Sequence, residues 1–196
     1  TFTIGNSGRV IAGGDLACAG TLTYAGTTPQ IALAQAANIT GNLVINNSAG
    51  VTLQNALTIS GTLTITSGYL DMNGYDINLG TTGTLVENRP LNRVVYDGVG
   101  NSYGEIIATN RTINNTNTSV AGLALFLNRG TSGSLVVDVA RRHSPPTLTT
   151  GVKSIKKLYK ITATSGAITN GTVRIHYAPL EFNGLSTTDG RLWRYT

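Results

Sequence analysis

The chain has 196 residues, of which 40% are hydrophobic, enough to bury the core of one large domain or two small ones. Only 12% are charged, against roughly 25% in ordinary soluble domains, which argues against the Lys/Glu-faced helices of a cytosolic enzyme. The net charge of +5 is uneven: residues 1–86 carry one base and three acids, residues 87–196 thirteen bases and six acids.

The chain opens in strand-like sequence, Thr1-Phe-Thr-Ile4, as a processed product or a piece of a longer protein would. Phe2/Ile4, Val10 and Leu16/Cys18 fill a first, loose coil. A short phrase then recurs. Gly20-Thr-Leu-Thr-Tyr24 returns as Gly41-Asn-Leu-Val-Ile45, Gly61-Thr-Leu-Thr-Ile65 and Gly83-Thr-Leu-Val86, at spacings of 21, 20 and 22 residues. Self-similarity at that period marks a repeat architecture. Within each repeat the apolar residues come in i, i+2 pairs, such as Leu43/Ile45, Val51/Leu53 and Leu57/Ile59, so each short strand turns one face inward. Cys18 stands where Ile39 and Ile59 stand in later repeats and is read as an inward-facing apolar side chain. The alanine-rich stretch Gln30 to Asn38 has some helical character, but its place in the repeat favours strand. Corners carry Gly, Asn and Asp, which tolerate tight backbone turns.

The spacing lapses near Glu87-Asn-Arg-Pro90. Beyond it, strands are predicted near 93–96, 105–109, 123–127, 134–140, 154–162, 171–177 and 191–195, with 109–119 as an exposed loop or edge. Seven strands divided by turn-rich loops predict an antiparallel sandwich. The expected fold is therefore all-β, with a β-solenoid over 1–87 followed by a β-sandwich over 88–196. The C-terminal part is expected to cap one end of the solenoid. Nothing obvious caps the other, and an open coil edge invites pairing with another chain. Thr1, Phe2, Thr3 and Ile4 are the candidate subunit contacts, by strand addition.

The run Gly41 to Leu53, then Leu57 to Ile65 and Leu70 to Leu79, resembles large secreted surface proteins of Bacteroidota, many of them adhesin-like cargo of the type IX secretion system. In the second half the matching stretches are Val139–His143, Ser154–Tyr159, Leu180–Leu185 and Asp189–Trp193. The resemblance implies an extracellular, cell-surface location and a solenoid followed by a sandwich-like domain.

Catalytic chemistry finds little to stand on. Glycoside hydrolysis needs two facing carboxyls, and the solenoid half offers only Asp15, Asp71 and Asp76. Asp71 and Asp76 flank Asn73-Gly74 and are read as turn formers. His143 and His176 are the only histidines and lie in no metal-ligand spacing. Glu181, Asn183 and Asp189 are weak calcium candidates, being oxygen donors in one loop. Arg141, Arg142, Lys153, Lys156, Lys157 and Lys160 form the densest basic cluster, either a guarded strand edge or a docking surface for an acidic polysaccharide or a neighbouring subunit. The bases are not interleaved with a stacking aromatic platform, so nucleic acid is not expected. No apolar run is long enough for membrane insertion.

The expectation is a non-enzymatic, structural and adhesive surface protein, without cofactor, that assembles head to tail into a homopolymer. The alternative is a carbohydrate-binding module of a long monomeric protein, using Tyr69, Tyr75, Tyr103 or Trp193. Less favoured are a polysaccharide-active enzyme and an ice-binding protein. The Thr-x-Thr pairs at Thr1/Thr3, Thr21/Thr23 and Thr62/Thr64 suggest the last, but Asn42 and Val44 interrupt the series.

Overall fold

The computed structural model describes residues 1–6, 16–32, 37–88, 93–95, 104–130, 133–142, 147–149, 152–153, 157–167 and 169–182. The repeat folds as a β-solenoid. β1 (Phe2–Ile4) and β2 (Leu16–Cys18) belong to its first coil, and β3 (Thr21–Gly26), β4 (Gln30–Ala32) and β5 (Ala37–Ile39) to its second. β6 (Asn42–Leu53) with β7 (Leu57–Ile59), and β8 (Thr62–Asp71) with β9 (Ile77–Gly80), make the third and fourth. Every coil stacks parallel on the one before, in three ladders: β1-β3-β6-β8 along one face, β4-β6-β8 along a second and β2-β5-β7-β9 along the third.

Register lines up the inward side chains in columns. Leu22, Leu43, Leu63 and Leu85 pair in succession, as do Tyr24, Ile45 and Ile65. On the third face Cys18, Ile39 and Ile59 make another column, so Cys18 faces inward as expected. Nearly all of these residues are fully buried. At about 1.5–3 kcal/mol for each fully buried Leu or Ile, the columns set the register, because a one-residue slip would turn every one of them to solvent.

The repeated glycine has a steric cause. A Cβ built at Gly41 would collide with the carbonyl oxygen of Gly20, one at Gly61 with that of Gly41, and one at Gly83 with that of Ile59. The same corner carries bonds from coil to coil, Asn42 N–H to Gly20 O at 2.8 Å and Thr84 N–H to Gly61 O at 2.9 Å. Here the backbones approach so closely that only glycine fits. Other corners are fastened by side-chain amides and carboxylates. Asp71 Oδ1 accepts from Asn73 N–H (2.9 Å), the turn-forming role expected of it, whereas Asp76 Oδ1 accepts from Glu105 N–H (2.8 Å) and so ties its corner to the next turn of the chain.

Parallel pairing does not stop at residue 88. β10 (Thr84–Glu87) and β11 (Arg93–Val95) both stack on β8, and the start of β12 (Ile106–Ile113) stacks on β9, forming a longer fifth turn. Its corner segments are longer than those before, so the glycine spacing fails although the ladder continues. The expected division at 87/88 is therefore not a break in the hydrogen bonding. β12 is the hinge of the architecture: parallel to β9 on one edge, it is antiparallel to β15 (Leu135–Arg142) on the other. The stretch expected as an exposed loop or edge over 109–119 is strand as far as Ile113 and again at Thr118–Ser119.

A second antiparallel sheet joins β13 (Thr118–Ser119), β14 (Leu125–Asn128) and, further along, β19 (Thr172–Ile175). β16 (Thr147–Thr149) pairs with β17 (Val152–Lys153), and β18 (Leu158–Ser165) flanks β15. Leu125 and Leu127 of one sheet and Val137 and Val139 of the other join the solenoid in a single core. The strand expected at 123–127 starts later because Val120 to Ala124 form a turn, with Ala121, Gly122 and Ala124 at positive φ. The strand expected at 191–195 lies outside the described residues.

Replacing Gly61 by Ala should cost about 2 kcal/mol or more, since the obstruction is backbone that cannot step aside. Thr64→Ala, on the outer face two residues past the next corner position, should stay within about 0.5 kcal/mol. Urea denaturation of the two variants checks this, and equal midpoints would contradict the account of the corner.

Candidate functional site: the two ends of the solenoid

The two ends differ in kind. At the C-terminal end β10 has β8 on one side, and on the other the N–H of Leu85 donates to Ala121 O (2.9 Å) while Gly122 presses on Leu85 O. The third ladder continues into β12, β15 and β18. Glu87 follows Ile65 in the inward column, so its carboxylate points into the core. Arg141 from β15 meets it with two bonds, Nη2 to Oε1 at 2.8 Å and Nη1 to Oε2 at 2.9 Å. Glu87 Oε1 also accepts from Val94 N–H (2.9 Å). The Arg141 side chain is 0% exposed. Burial works against its charge, but the Glu87 carboxylate outweighs it and holds the guanidinium above its ordinary pKa. Leu123 O closes the cluster, accepting from Tyr159 Oη at 2.7 Å.

At the N-terminal end no strand among the described residues covers the outer edge of β1 or β2. Phe2 is in register with Leu22 and so extends the leucine column, yet it is 61% exposed, with no strand of the described residues beyond it. Thr1 and Thr3 are exposed and Ile4 is buried. The edge is held firmly. Gln30 Nε2 donates to the carbonyls of Ile4 (3.3 Å) and Gly5 (2.6 Å), and Asn47 Nδ2, fully buried, donates to Gln30 Oε1 (2.8 Å) and Thr28 O (2.7 Å). Asn6 Oδ1 accepts from Thr27 N–H at 2.6 Å. A satisfied buried amide chain of this kind fixes geometry at little net cost.

Of the basic cluster expected from the sequence, two members are buried and paired. Arg141 is inside the core with Glu87, and Lys157 is buried against Glu181, Nζ to Oε1 at 2.6 Å. Buried charges require such partners. Arg142 is half-buried and Lys160 exposed, while the side chains of Lys153 and Lys156 lie outside the described residues. Glu181, one of the three calcium candidates, is itself engaged inside the protein. Its carboxylate serves Lys157 and the N–H of Ala178 (2.7 Å), and Asn183 and Asp189 lie outside the described residues. Among the described residues no group of three His, Cys, Asp or Glu could hold a metal, and no helix could cross a membrane. His176 is exposed, its ring 4.5 Å from that of Phe126; His143 is outside the described residues. Tyr69 and Tyr75 are both exposed, whereas Tyr103 and Trp193 are outside the described residues.

Sequence reasoning missed the buried polar groups, although the repeat held their signal. Gln30 occupies the position of Val51, Leu70 and Val94, and Glu87 that of Ile65. A polar residue at an inward position announces a buried partner. Comparison with protein-family models, curated proteins and solved structures returns no match for this chain.

Glu87→Gln should destabilise the protein by about 3–5 kcal/mol by leaving Arg141 buried without its counter-charge, while Glu87→Leu combined with Arg141→Met should recover most of that loss. Thermal or urea unfolding of the single and double variants reads both effects.

Proposed function

We propose that the protein is a non-enzymatic structural subunit of an extracellular surface assembly, joined head to tail through strand edges. The observation that carries this reading is Phe2, a residue in the register of the core column, exposed at a parallel edge that no strand among the described residues covers and that is itself firmly held. One more coil, or a strand from a second copy, would bury it and satisfy the β1 edge. Because the other end of the solenoid is closed, the joint is heterologous, and such a contact propagates as a filament when its rotation does not close a ring.

The receiving surface in this reading is the outer pair of strands on the antiparallel sheets. β18 and β19 are edge strands. Ile161 is paired with buried Val139, and Val173 with buried Leu127, yet both are exposed, at 36% and 39%. The low charge of the solenoid faces suits close packing in such an assembly. A second reading, a carbohydrate-binding module, draws on the exposed Tyr69, whose ring covers Gly50, and on the exposed Tyr75. Flat exposed rings of this kind are suited to stacking against sugars.

Negative-stain electron microscopy at high protein concentration should show fibres with an axial repeat near one subunit length. Phe2→Asp should leave single short rods with the circular dichroism of the parent. Rods from the parent chain at every concentration, together with binding on a glycan array that Tyr69→Ala abolishes, would move the assignment to the second reading.

A further inference from the structure

The fifth turn and its cap enclose a cleft of about 480 Å³, bordered by Thr84, Asn110, Arg111, Thr118, Ser119 and Gly122. That volume falls within the roughly 300–1,000 Å³ of small-molecule sites. The cleft is built around an irregularity in β12. Register shifts between Ala108 and Arg111, and Asn110 adopts φ 51° with its N–H donating to Asp138 Oδ1 at 2.8 Å. The bulge aims Arg111 back over the corner that closes the fourth coil. There Nη2 donates to three carbonyls, Leu79 O (3.3 Å), Gly80 O (2.9 Å) and Gly83 O (2.6 Å).

Those bonds position the guanidinium without neutralising it. Nε is buried and has no hydrogen-bond partner. No carboxylate among the described residues pairs with Arg111, in contrast to Arg141 and Lys157, which each have one. Burial lowers its pKa, and no neighbouring acid offsets that effect. A half-buried cation with no carboxylate partner among the described residues can be stabilised by an anion brought from outside. Around it the hydroxyls and amide of Thr84, Asn110, Thr118 and Ser119 share the border with apolar Ile113 and Ala121. No aromatic side chain borders the cleft, so a sugar ring held there is selected by hydrogen bonds and charge rather than by stacking.

We propose that this cleft binds a carboxylate-bearing saccharide, with Arg111 facing the carboxylate and the surrounding hydroxyls and amide facing the sugar hydroxyls. This assigns a ligand-binding role that is independent of the filament reading. It also places the acidic-polymer contact at Arg111 and not at the lysine-rich segment.

The test is calorimetric titration of the full chain with galacturonate, glucuronate and mannuronate trisaccharides, and with the methyl ester of whichever binds. The expected result is binding of at least one uronate, weakened tenfold or more in its methyl ester and by raised salt. Arg111→Gln should weaken it at least tenfold. Because Arg111 also ties down three carbonyls, that variant can lose stability, so Ser119→Trp is made alongside it. Ser119 is exposed at the rim, and a bulky side chain there should block binding with the melting temperature unchanged. Absence of binding by all three uronates, equal affinity for acid and ester, or unaltered binding in Ser119→Trp would overturn the proposal.

Discussion

The structure rests on one constraint: each coil must lie directly on the last at the spacing of a parallel ladder, about 4.7–4.9 Å. Everything periodic in the sequence follows from it. Inward positions repeat as Leu22, Leu43, Leu63 and Leu85 because stacked coils put like positions in contact. Glycine repeats at the corner because two backbones meet there with no room for a side chain. Asparagine and aspartate recur at turns because their side chains bond backbone groups that the ladder leaves over, as Asn73 Nδ2 does with Leu53 O at 3.1 Å.

A ladder built this way leaves an edge at each end, and the chain treats its ends differently. At the C-terminal end β12 converts a parallel ladder into an antiparallel one and lets the remaining strands close over it. The Glu87–Arg141 pair is the polar counterpart of that change, since it stands where the apolar column of Tyr24, Ile45 and Ile65 would otherwise continue. Buried pairs of this type add little net stability over apolar contacts but are costly to break, so here the pair specifies which strand docks on the last coil. At the N-terminal end the polar core atoms do the opposite. Gln30 and Asn47 hold β1 in place while no strand among the described residues covers its outer edge.

The solenoid was legible in the sequence because its signal is repeated: four glycine phrases and paired apolar residues outweigh any single exception. Even the alanine-rich stretch resolved as strands at Gln30–Ala32 and Ala37–Ile39. The fifth turn was not legible, because longer corners broke the spacing while the pairing itself carried on. The candidate sites were less legible still. A charge count along the chain put Arg141 and Lys157 on a surface patch, but partners 54 and 24 residues away, Glu87 and Glu181, draw both inside. Long-range pairing of that kind leaves no mark in local composition. Arg111 was missed for the same reason, since its setting depends on a bulge in β12 and on a corner some thirty residues earlier.

The central claim is that one end of the coil stack is sealed and the other open. Amide hydrogen exchange on the dilute, unassembled chain tests it most directly. Amides of the third, fourth and fifth turns, such as those of Leu63, Leu85 and Ile106, should exchange only with global unfolding. Those of Phe2 to Ile4 should exchange orders of magnitude faster, because their coil has a neighbour on one side alone. Equal protection at both ends would contradict the account, and so would faster exchange at β12 than at β1.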